Sequence, residues 1–195
     1  MNSMESPSIL IRAARISDAA DLSKVHRASW FNAYHGILNG GALRDAVARR
    51  NSAWWRSAVE KLNAEPASIG RGSLSPDAGL RRSRLLVLEF DGRVAGYANF
   101  GTGRRSYPPH SIARWGEVFE LYLAPEFQGL GFGRTLFRQV RKELKEMGHG
   151  PLIVWALEAN DLATGFYLAM GGERFVRSHE IFGGIQTPTI GYRWR

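Results

Sequence analysis

The residues best suited to bind a ligand form a glycine-rich segment between a predicted strand and a predicted helix. The strand-like run that begins at Glu117 ends at Pro125, and Gly129, Gly131 and Gly133 follow at alternate positions directly before a helical pattern. Glycine can adopt positive φ angles and lets a ligand approach the main chain closely. N–H groups at the start of a helix have no intrahelical partner, and the helix dipole adds partial positive charge there. The segment therefore predicts a phosphate-binding turn and a bound phosphorylated ligand.

Two common phosphate-loop motifs do not fit this segment. A Walker loop requires a lysine after its last glycine, where this chain has Arg134. A dinucleotide-binding fingerprint requires a third glycine, where this chain has Leu136. The motif that fits is Q-x-x-G-x-G, formed by Gln128, Gly131 and Gly133. On these residues alone, a glycine-rich turn without a ligand is an equal alternative.

A second segment, residues 152–172, contains an apolar strand, a polar turn and a short helix. Asn160 follows the strand, Phe166 and Tyr167 lie in the helix, and Gly171 ends it. With both segments in this order, the chain resembles the GCN5-related N-acetyltransferase (GNAT) superfamily. That superfamily has a Q-x-x-G-x-G loop for the pyrophosphate of acetyl-CoA, an asparagine after its fifth strand, and a Phe-Tyr pair in the next helix.

The resemblance implies one GNAT-like domain of the α/β (α+β) class over residues 9–195. Its mixed, mostly antiparallel central sheet has helices on both faces and is splayed between strands 4 and 5, where the pantetheine arm enters. We expect residues 1–8 to be a flexible terminus and residues 64–82, rich in Pro, Gly, Ser and Arg, to be a mobile loop. Helical spacing predicts one second helix across residues 43–62, and Asp91-Gly92 predicts a hairpin turn.

The resemblance also implies acetyl-CoA as co-substrate and assigns residues to it. Backbone groups around Leu121 and Leu123 would pair with the pantetheine amides as an added strand does. Asn160 would bond the pantetheine region or cap the following helix, or do both. The predicted cofactor-binding set is Leu121, Tyr122, Leu123, Gln128, Gly129, Leu130, Gly131, Phe132, Gly133, Arg134, Asn160 and Tyr167.

Acetyl transfer to an amine needs a base for the ammonium and a proton for the departing thiolate. Glu117 and Glu120 are the candidate bases. Glu117 best matches the acid that the family often has at the start of this strand. On a regular strand the two carboxylates would lie on opposite faces, and each has the alternative of a solvent-facing or substrate-binding charge. Tyr167 resembles the family's general acid, and a core tyrosine is the alternative reading.

The acceptor site is predicted only in outline. The resemblance places Trp30, Tyr34 and Tyr107 at an acceptor groove, where aromatic rings suit an apolar or cationic amine. Packing within the core explains these side chains equally well. The expected acceptor is a small-molecule amine or a peptide amine.

Composition excludes several other classes of protein. The 195 residues contain no cysteine, and the five histidines are scattered, so we expect no disulfide and no metal site. No signal peptide and no run of about 20 apolar residues is present, which predicts a soluble cytoplasmic protein without a membrane partner.

The net charge of +8 permits nucleic-acid binding, but no single element interleaves basic and exposed aromatic residues. We therefore expect no nucleic-acid partner, and a homodimer stays open.

The leading hypothesis is an acetyl-CoA-dependent N-acetyltransferase. The alternative is a non-catalytic acyl-CoA-binding sensor that keeps the phosphate turn and uses Glu117 and Tyr167 structurally.

Overall fold

A seven-stranded sheet forms the centre of the protein in the computed structural model, which describes residues 8–64, 83–104 and 113–195. The strands are β1 (Ile9–Ala13), β2 (Ser83–Phe90), β3 (Arg93–Thr102), β4 (Gly116–Leu123), β5 (Leu152–Leu157), β6 (Glu173–Phe182) and β7 (Ile185–Trp194). The helices are α1 (Ala19–Tyr34), α2 (Gly40–Ala48), α3 (Ser52–Ala64), α4 (Phe132–Glu146) and α5 (Asp161–Ala169). The strand order is β1-β2-β3-β4-β5-β7-β6, and only the β4–β5 pair is parallel. The predicted mixed, mostly antiparallel sheet is confirmed.

The sheet opens between β4 and β5. Their parallel pairing joins Gly116 to Leu152 and ends at Val118 and Val154. Beyond that point β4 continues to pair with β3 as far as Leu123, and β5 pairs with β7. The two strands therefore part after three residue pairs, which confirms the predicted splay and leaves one edge of β4 without a strand partner.

Aromatic side chains pack on both sides of the sheet. On the side of α1 and α3, the ring of Tyr97 lies 4.9 Å from that of Trp55. On the side of α4 and α5, the ring of Phe137 lies 5.1 Å from that of Trp194. All four side chains are buried, and the two clusters hold the helices on the sheet.

The predicted single helix across residues 43–62 is wrong, because the chain forms α2 and α3 with a break between them. The Asn51 side chain accepts the N–H of Trp54 at 3.0 Å, which caps the start of a new helix. Because of the break, the face of α3 that packs on the core differs from the one expected for a single continuous helix. Trp55 is 1% exposed and Trp54 is 38% exposed, so Trp55 is the residue that packs inside.

The predicted hairpin at Asp91-Gly92 is present between β2 and β3. Asp91 has φ 48° and Gly92 has φ 73°, as expected for a tight two-residue hairpin turn.

His26 in α1 is a fully buried histidine. Its Nδ1 lies 2.7 Å from the Tyr97 hydroxyl, and burial together with the charge of Arg50 lowers the pKa of His26 to about 3. The folded protein therefore keeps this ring neutral, whereas the unfolded chain protonates it near pH 6.5. The contribution of the neutral His26 ring to the free energy of unfolding is therefore fully present above pH 6.5. It is lost as the pH falls from 6.5 toward the lower pKa of the folded state.

We expect wild-type protein to lose about 2 kcal/mol more unfolding free energy between pH 7 and pH 5 than His26→Gln does. Urea unfolding at both pH values measures this difference. The variant His35→Gln, at an exposed position after α1, serves as control and should retain the wild-type acid sensitivity. Equal sensitivity in wild type and His26→Gln would contradict the expectation.

Candidate active site

Two adjoining cavities lie at the gap between β4 and β5. The first, of about 420 Å³, is bounded by α1, the free edge of β4, the glycine-rich turn and α5. The second, of about 610 Å³, is bounded by α1, β4, β6 and β7. Both are lined by Tyr34, Glu120 and Tyr122. Groups held in the two cavities can therefore meet at these residues.

The glycine-rich turn presents a run of free main-chain donors to the first cavity. Among the described residues, no carbonyl accepts the N–H groups of residues 129–134, and the helical bonding of α4 begins with Thr135 N–H to Gly131 O at 3.1 Å. Gly129 and Gly131 have φ 76° and 82°, and a Cβ at either would meet no atom within 4 Å. The open space above these glycines and the unpaired N–H groups suit a diphosphate.

The predicted cofactor residues lie along this cavity with two exceptions. The side chain of Leu130 is 60% exposed, and the ring of Phe132 is buried 5.2 Å from that of Phe90. The predicted role of these two residues uses only their main-chain N–H groups, which would bind the diphosphate, and does not require their side chains to line the cavity. The residues that line the cavity are Leu121, Tyr122, Leu123, Gln128, Gly129, Gly131, Gly133, Arg134, Asn160 and Tyr167.

Gln128 fastens the glycine-rich turn to the end of β4. Its Nε2 donates to the Leu123 carbonyl at 3.0 Å, and its Oε1 accepts from Asn32 of α1 at 3.4 Å. The Ser29 hydroxyl lies 2.9 Å from the same Leu123 carbonyl and 2.7 Å from the Val25 carbonyl, and its one hydrogen is shared between them. The glutamine of the Q-x-x-G-x-G motif thus positions the turn, and sequence reasoning missed Ser29 as the second anchor.

The free edge of β4 has backbone groups at the spacing of an added strand. Ala124 donates its N–H toward β3, to Ala95 O at 2.9 Å. Because successive residues of a strand point their backbone groups to opposite edges, those of Leu121 and Leu123 point into the gap. The resemblance assigned the backbone groups of these two residues to pantetheine, and both residues line the first cavity.

Glu117 and Glu120 line the same cavity, contrary to the expectation for a regular strand. The register of β3 and β4 pairs Asn99 with Glu120 but Phe100 with Val118, so Phe119 is an extra residue in β4. Such a bulge rotates the strand locally. Consequently both carboxylates face the second cavity.

The two carboxylates have different partners. Glu117 accepts the N–H of Arg104 at 2.8 Å and lies 3.5 Å from the Arg104 Nε. Glu120 lies 3.1 Å from Arg50 and accepts from Asn99 at 3.3 Å. Burial raises the pKa of Glu120, although the charge of Arg50 opposes this. Only Glu120 also lines the first cavity.

Three hydroxyl groups and one amide group lie near the junction, on α1, on β4, and on α5 with its cap residue. The hydroxyls of Tyr34 and Tyr122 are 2.9 Å apart. The Asn160 Oδ1 accepts the N–H of Ala163 at 3.0 Å, so Asn160 caps α5 while lining the first cavity. Burial raises the pKa of Tyr167, which keeps its hydroxyl protonated at neutral pH.

Of the predicted acceptor residues, Trp30 and Tyr34 line the second cavity, and Tyr107 lies outside the described residues. Sequence reasoning missed Arg50 and Asn99 in this cavity. Asn51, which follows Arg50 and caps α3, is a sequence signal that could have located the helix break. No feature of the sequence near Arg50 identifies Glu120 as its partner.

No group of three or more potential ligand side chains suited to a metal ion occurs within residues 8–64, 83–104 and 113–195. Over these same ranges, none of the helices combines the length and the apolarity that a bilayer crossing requires.

Comparison with known sequences places these features in context. A model described as the acetyltransferase (GNAT) family matches residues 50–171. The chain is 25% identical over 186 residues to the uncharacterized N-acetyltransferase YuaI of Bacillus subtilis, covering 95% of this chain and 92% of that protein. It is 27% identical over 194 residues to the probable N-acetyltransferase Rv2775 of Mycobacterium tuberculosis, covering 97% and 95%.

Solved structures share this fold, among them one with coenzyme A and one with acetyl-CoA. The PaiA N-acetyltransferase from Thermoplasma acidophilum, in complex with coenzyme A, has a TM-score of 0.67 at 20% identity, with 93% of this chain and 98% of that chain covered. YncA, a putative acetyltransferase from Salmonella typhimurium with acetyl-CoA, has a TM-score of 0.59 at 19% identity, with 96% and 93% covered.

Proposed function

Since this chain belongs to the acetyltransferase (GNAT) family and is an acyltransferase, we propose that it transfers an acetyl group from acetyl-CoA to a primary amine by direct attack in a ternary complex. The observation that carries this proposal is the run of unpartnered N–H groups over residues 129–134, which opens onto the same cavity as the free edge of β4. Acetyl-CoA, bound there as co-substrate, supplies an activated acyl group as a thioester.

The first cavity has backbone groups suited to the diphosphate and to the pantetheine arm of this co-substrate. The N–H groups of residues 129–134 would hold the diphosphate, with Arg134 beside them. The carbonyl of Leu121 and the N–H of Leu123 would pair with the pantetheine amides. The N–H of Leu121 is the group that we assign to the thioester carbonyl, where a donor stabilises developing negative charge.

We assign the role of base to Glu120. The carboxylate lines both cavities, so it can accept a proton from an ammonium group that approaches a thioester at the junction. Glu117 lines only the second cavity and is bonded to the main chain of Arg104. We therefore give Glu117 the role of shaping the acceptor cavity.

Tyr167 is the proposed proton donor to the departing thiolate. The variant Tyr167→Phe should lower kcat by about tenfold or more and leave affinity for coenzyme A nearly unchanged. The control is Tyr192→Phe. Tyr192 is buried, its hydroxyl lies 2.8 Å from the Thr164 hydroxyl, and it does not line the first cavity. Initial rates and calorimetry on both variants measure the effect. An unaltered rate in Tyr167→Phe would remove this residue from the mechanism.

The proposed function is tested by titrating the protein with coenzyme A in a calorimeter and then assaying thiol release from acetyl-CoA with a panel of amines. The panel comprises arylalkylamines, aliphatic diamines, amino acids and short peptides, and mass spectrometry identifies each acetylated product. We expect coenzyme A to bind and at least one amine to be acetylated. No heat of binding in a folded sample would overturn the proposal, and binding without turnover would favour the acyl-CoA-binding sensor.

A further inference from the structure

Building on the proposed function, we propose that Arg50 is a positioning residue for the reaction. From the break between α2 and α3, its guanidinium holds the Glu120 carboxylate at the junction of the two cavities, oriented and ionised. The short break between the two helices thereby acquires a role in the active site.

Arg50 is fixed by contacts on several sides. Its guanidinium carbon lies 3.8 Å from the ring centroid of Trp54 and 5.7 Å from that of Trp55, at distances typical of cation–π contacts. Its carbonyl accepts from the Ser23 hydroxyl of α1 at 3.3 Å. An arginine held this way presents its Nη2 to Glu120 at 3.1 Å without losing much further side-chain entropy.

The carboxylate of Glu120 is held through both oxygens. Oε1 faces Arg50 at 3.1 Å, and Oε2 accepts from Asn99 at 3.3 Å. Each carboxylate oxygen has two lone pairs, so one acceptor position on each remains for an incoming ammonium group. The two contacts therefore orient the base without saturating it.

The charges around Glu120 leave Arg50 as its principal stabilising partner. Burial raises the pKa of Glu120, and the influences that lower it are Arg50 first, then the Asn99 hydrogen bond and then Arg104. The remaining titratable groups facing this region from α1, β3, β4 and β6 are His26, Tyr34, Tyr97, Glu117, Tyr122, His179 and Glu180.

Among these groups, Tyr97, Tyr122 and His26 supply no positive charge at neutral pH. The pKa of Tyr97 and Tyr122 is raised by burial, and the pKa of His26 is lowered by burial, so all three are uncharged near pH 7. Loss of Arg50 would thus leave a buried carboxylate whose charge is stabilised by the Asn99 hydrogen bond and the half-exposed Arg104. Such a carboxylate binds a proton at higher pH.

The test compares Arg50→Gln, Arg50→Lys and Arg49→Gln. Arg49 is the adjacent exposed arginine and makes no ion pair with any residue of the described ranges, so Arg49→Gln removes the same charge one position away. Protein labelled with ¹³C at the glutamate carboxyl carbons is titrated by NMR, and the Glu120 signal is assigned by its absence in Glu120→Gln.

We expect the Glu120 carboxyl to titrate about 1–3 pH units higher in Arg50→Gln than in wild type. Arg50→Lys, which keeps the charge but lacks the planar guanidinium, should recover part of this displacement. Arg49→Gln should titrate as wild type does. A Glu120 titration that is the same in Arg50→Gln and wild type would overturn the proposal, as would an equal displacement in Arg49→Gln.

Kinetics provide the second readout, with the amine from the panel that gives the highest wild-type rate. The acid limb of kcat/KM against pH should move upward by the same amount in Arg50→Gln, with coenzyme A affinity retained. A uniform drop at every pH would indicate a purely structural role and overturn the proposal. Failure of the wild type to acetylate any amine would count against the proposed function alone, because the NMR titration does not require turnover.

Discussion

Replacing Glu120 with glutamine is expected to lower kcat/KM for the amine about 100-fold or more at pH 7, the range typical for loss of a general base. The amide cannot accept the ammonium proton, and Glu120 is the carboxylate that lines both cavities. Affinity for coenzyme A should stay within a few-fold of wild type. Initial rates of thiol release and calorimetry measure the two quantities.

Glu117→Gln is the matched control for this prediction, since the bulge at Phe119 places both carboxylates in the second cavity. We expect a clearly smaller effect from it. The defect of Glu120→Gln should also shrink as the pH rises toward about 10, because a growing fraction of an alkylamine is then neutral without a base. A larger loss in Glu117→Gln would transfer the role of base to that residue.

Replacing Gly131 with alanine is expected to raise the dissociation constant for coenzyme A about 10- to 150-fold, which corresponds to losing one hydrogen bond to a charged group. Gly131 has φ 82°, and a Cβ there would project into the open space above the turn. The added methyl group would displace a diphosphate from the N–H groups of residues 129–134.

Gly148→Ala separates this effect from backbone strain. Gly148 follows α4 with φ 83°, so alanine there meets the same conformational cost at a distance from the cavity. Both variants should lose similar stability in urea, and only Gly131→Ala should lose affinity in calorimetry. Wild-type affinity in Gly131→Ala would show that the turn does not hold the diphosphate.

The parts of the fold that the sequence predicted rest on local chemistry. Asp91-Gly92 adopts the positive φ angles that a tight hairpin needs, and Gly129 and Gly131 do the same in the turn. Asn160 caps α5 with its side chain, as its position before the helix predicted. In each case one residue type satisfies a geometric requirement within a few positions of itself.

The features that the sequence did not predict depend on distant pairing. Nothing near Phe119 signals an extra residue, because the bulge exists only relative to Asn99 and Phe100 on β3. Likewise, the contact of Arg50 with Glu120 joins residues on different elements far apart in the chain.

The carbonyl of Leu123 has a consequence for how long a ligand arm can be. Gln128 donates to it, and the Ser29 hydroxyl lies 2.9 Å from it while sharing its one hydrogen with the Val25 carbonyl. A ligand amide therefore has the Leu123 N–H and the groups of Leu121 to pair with. A pantetheine arm that shifted along β4 by two residues would therefore not find equivalent hydrogen-bonding partners. The protein would then fix the distance between the bound diphosphate and the acyl carbon. A bulkier acyl group would have to extend toward the acceptor.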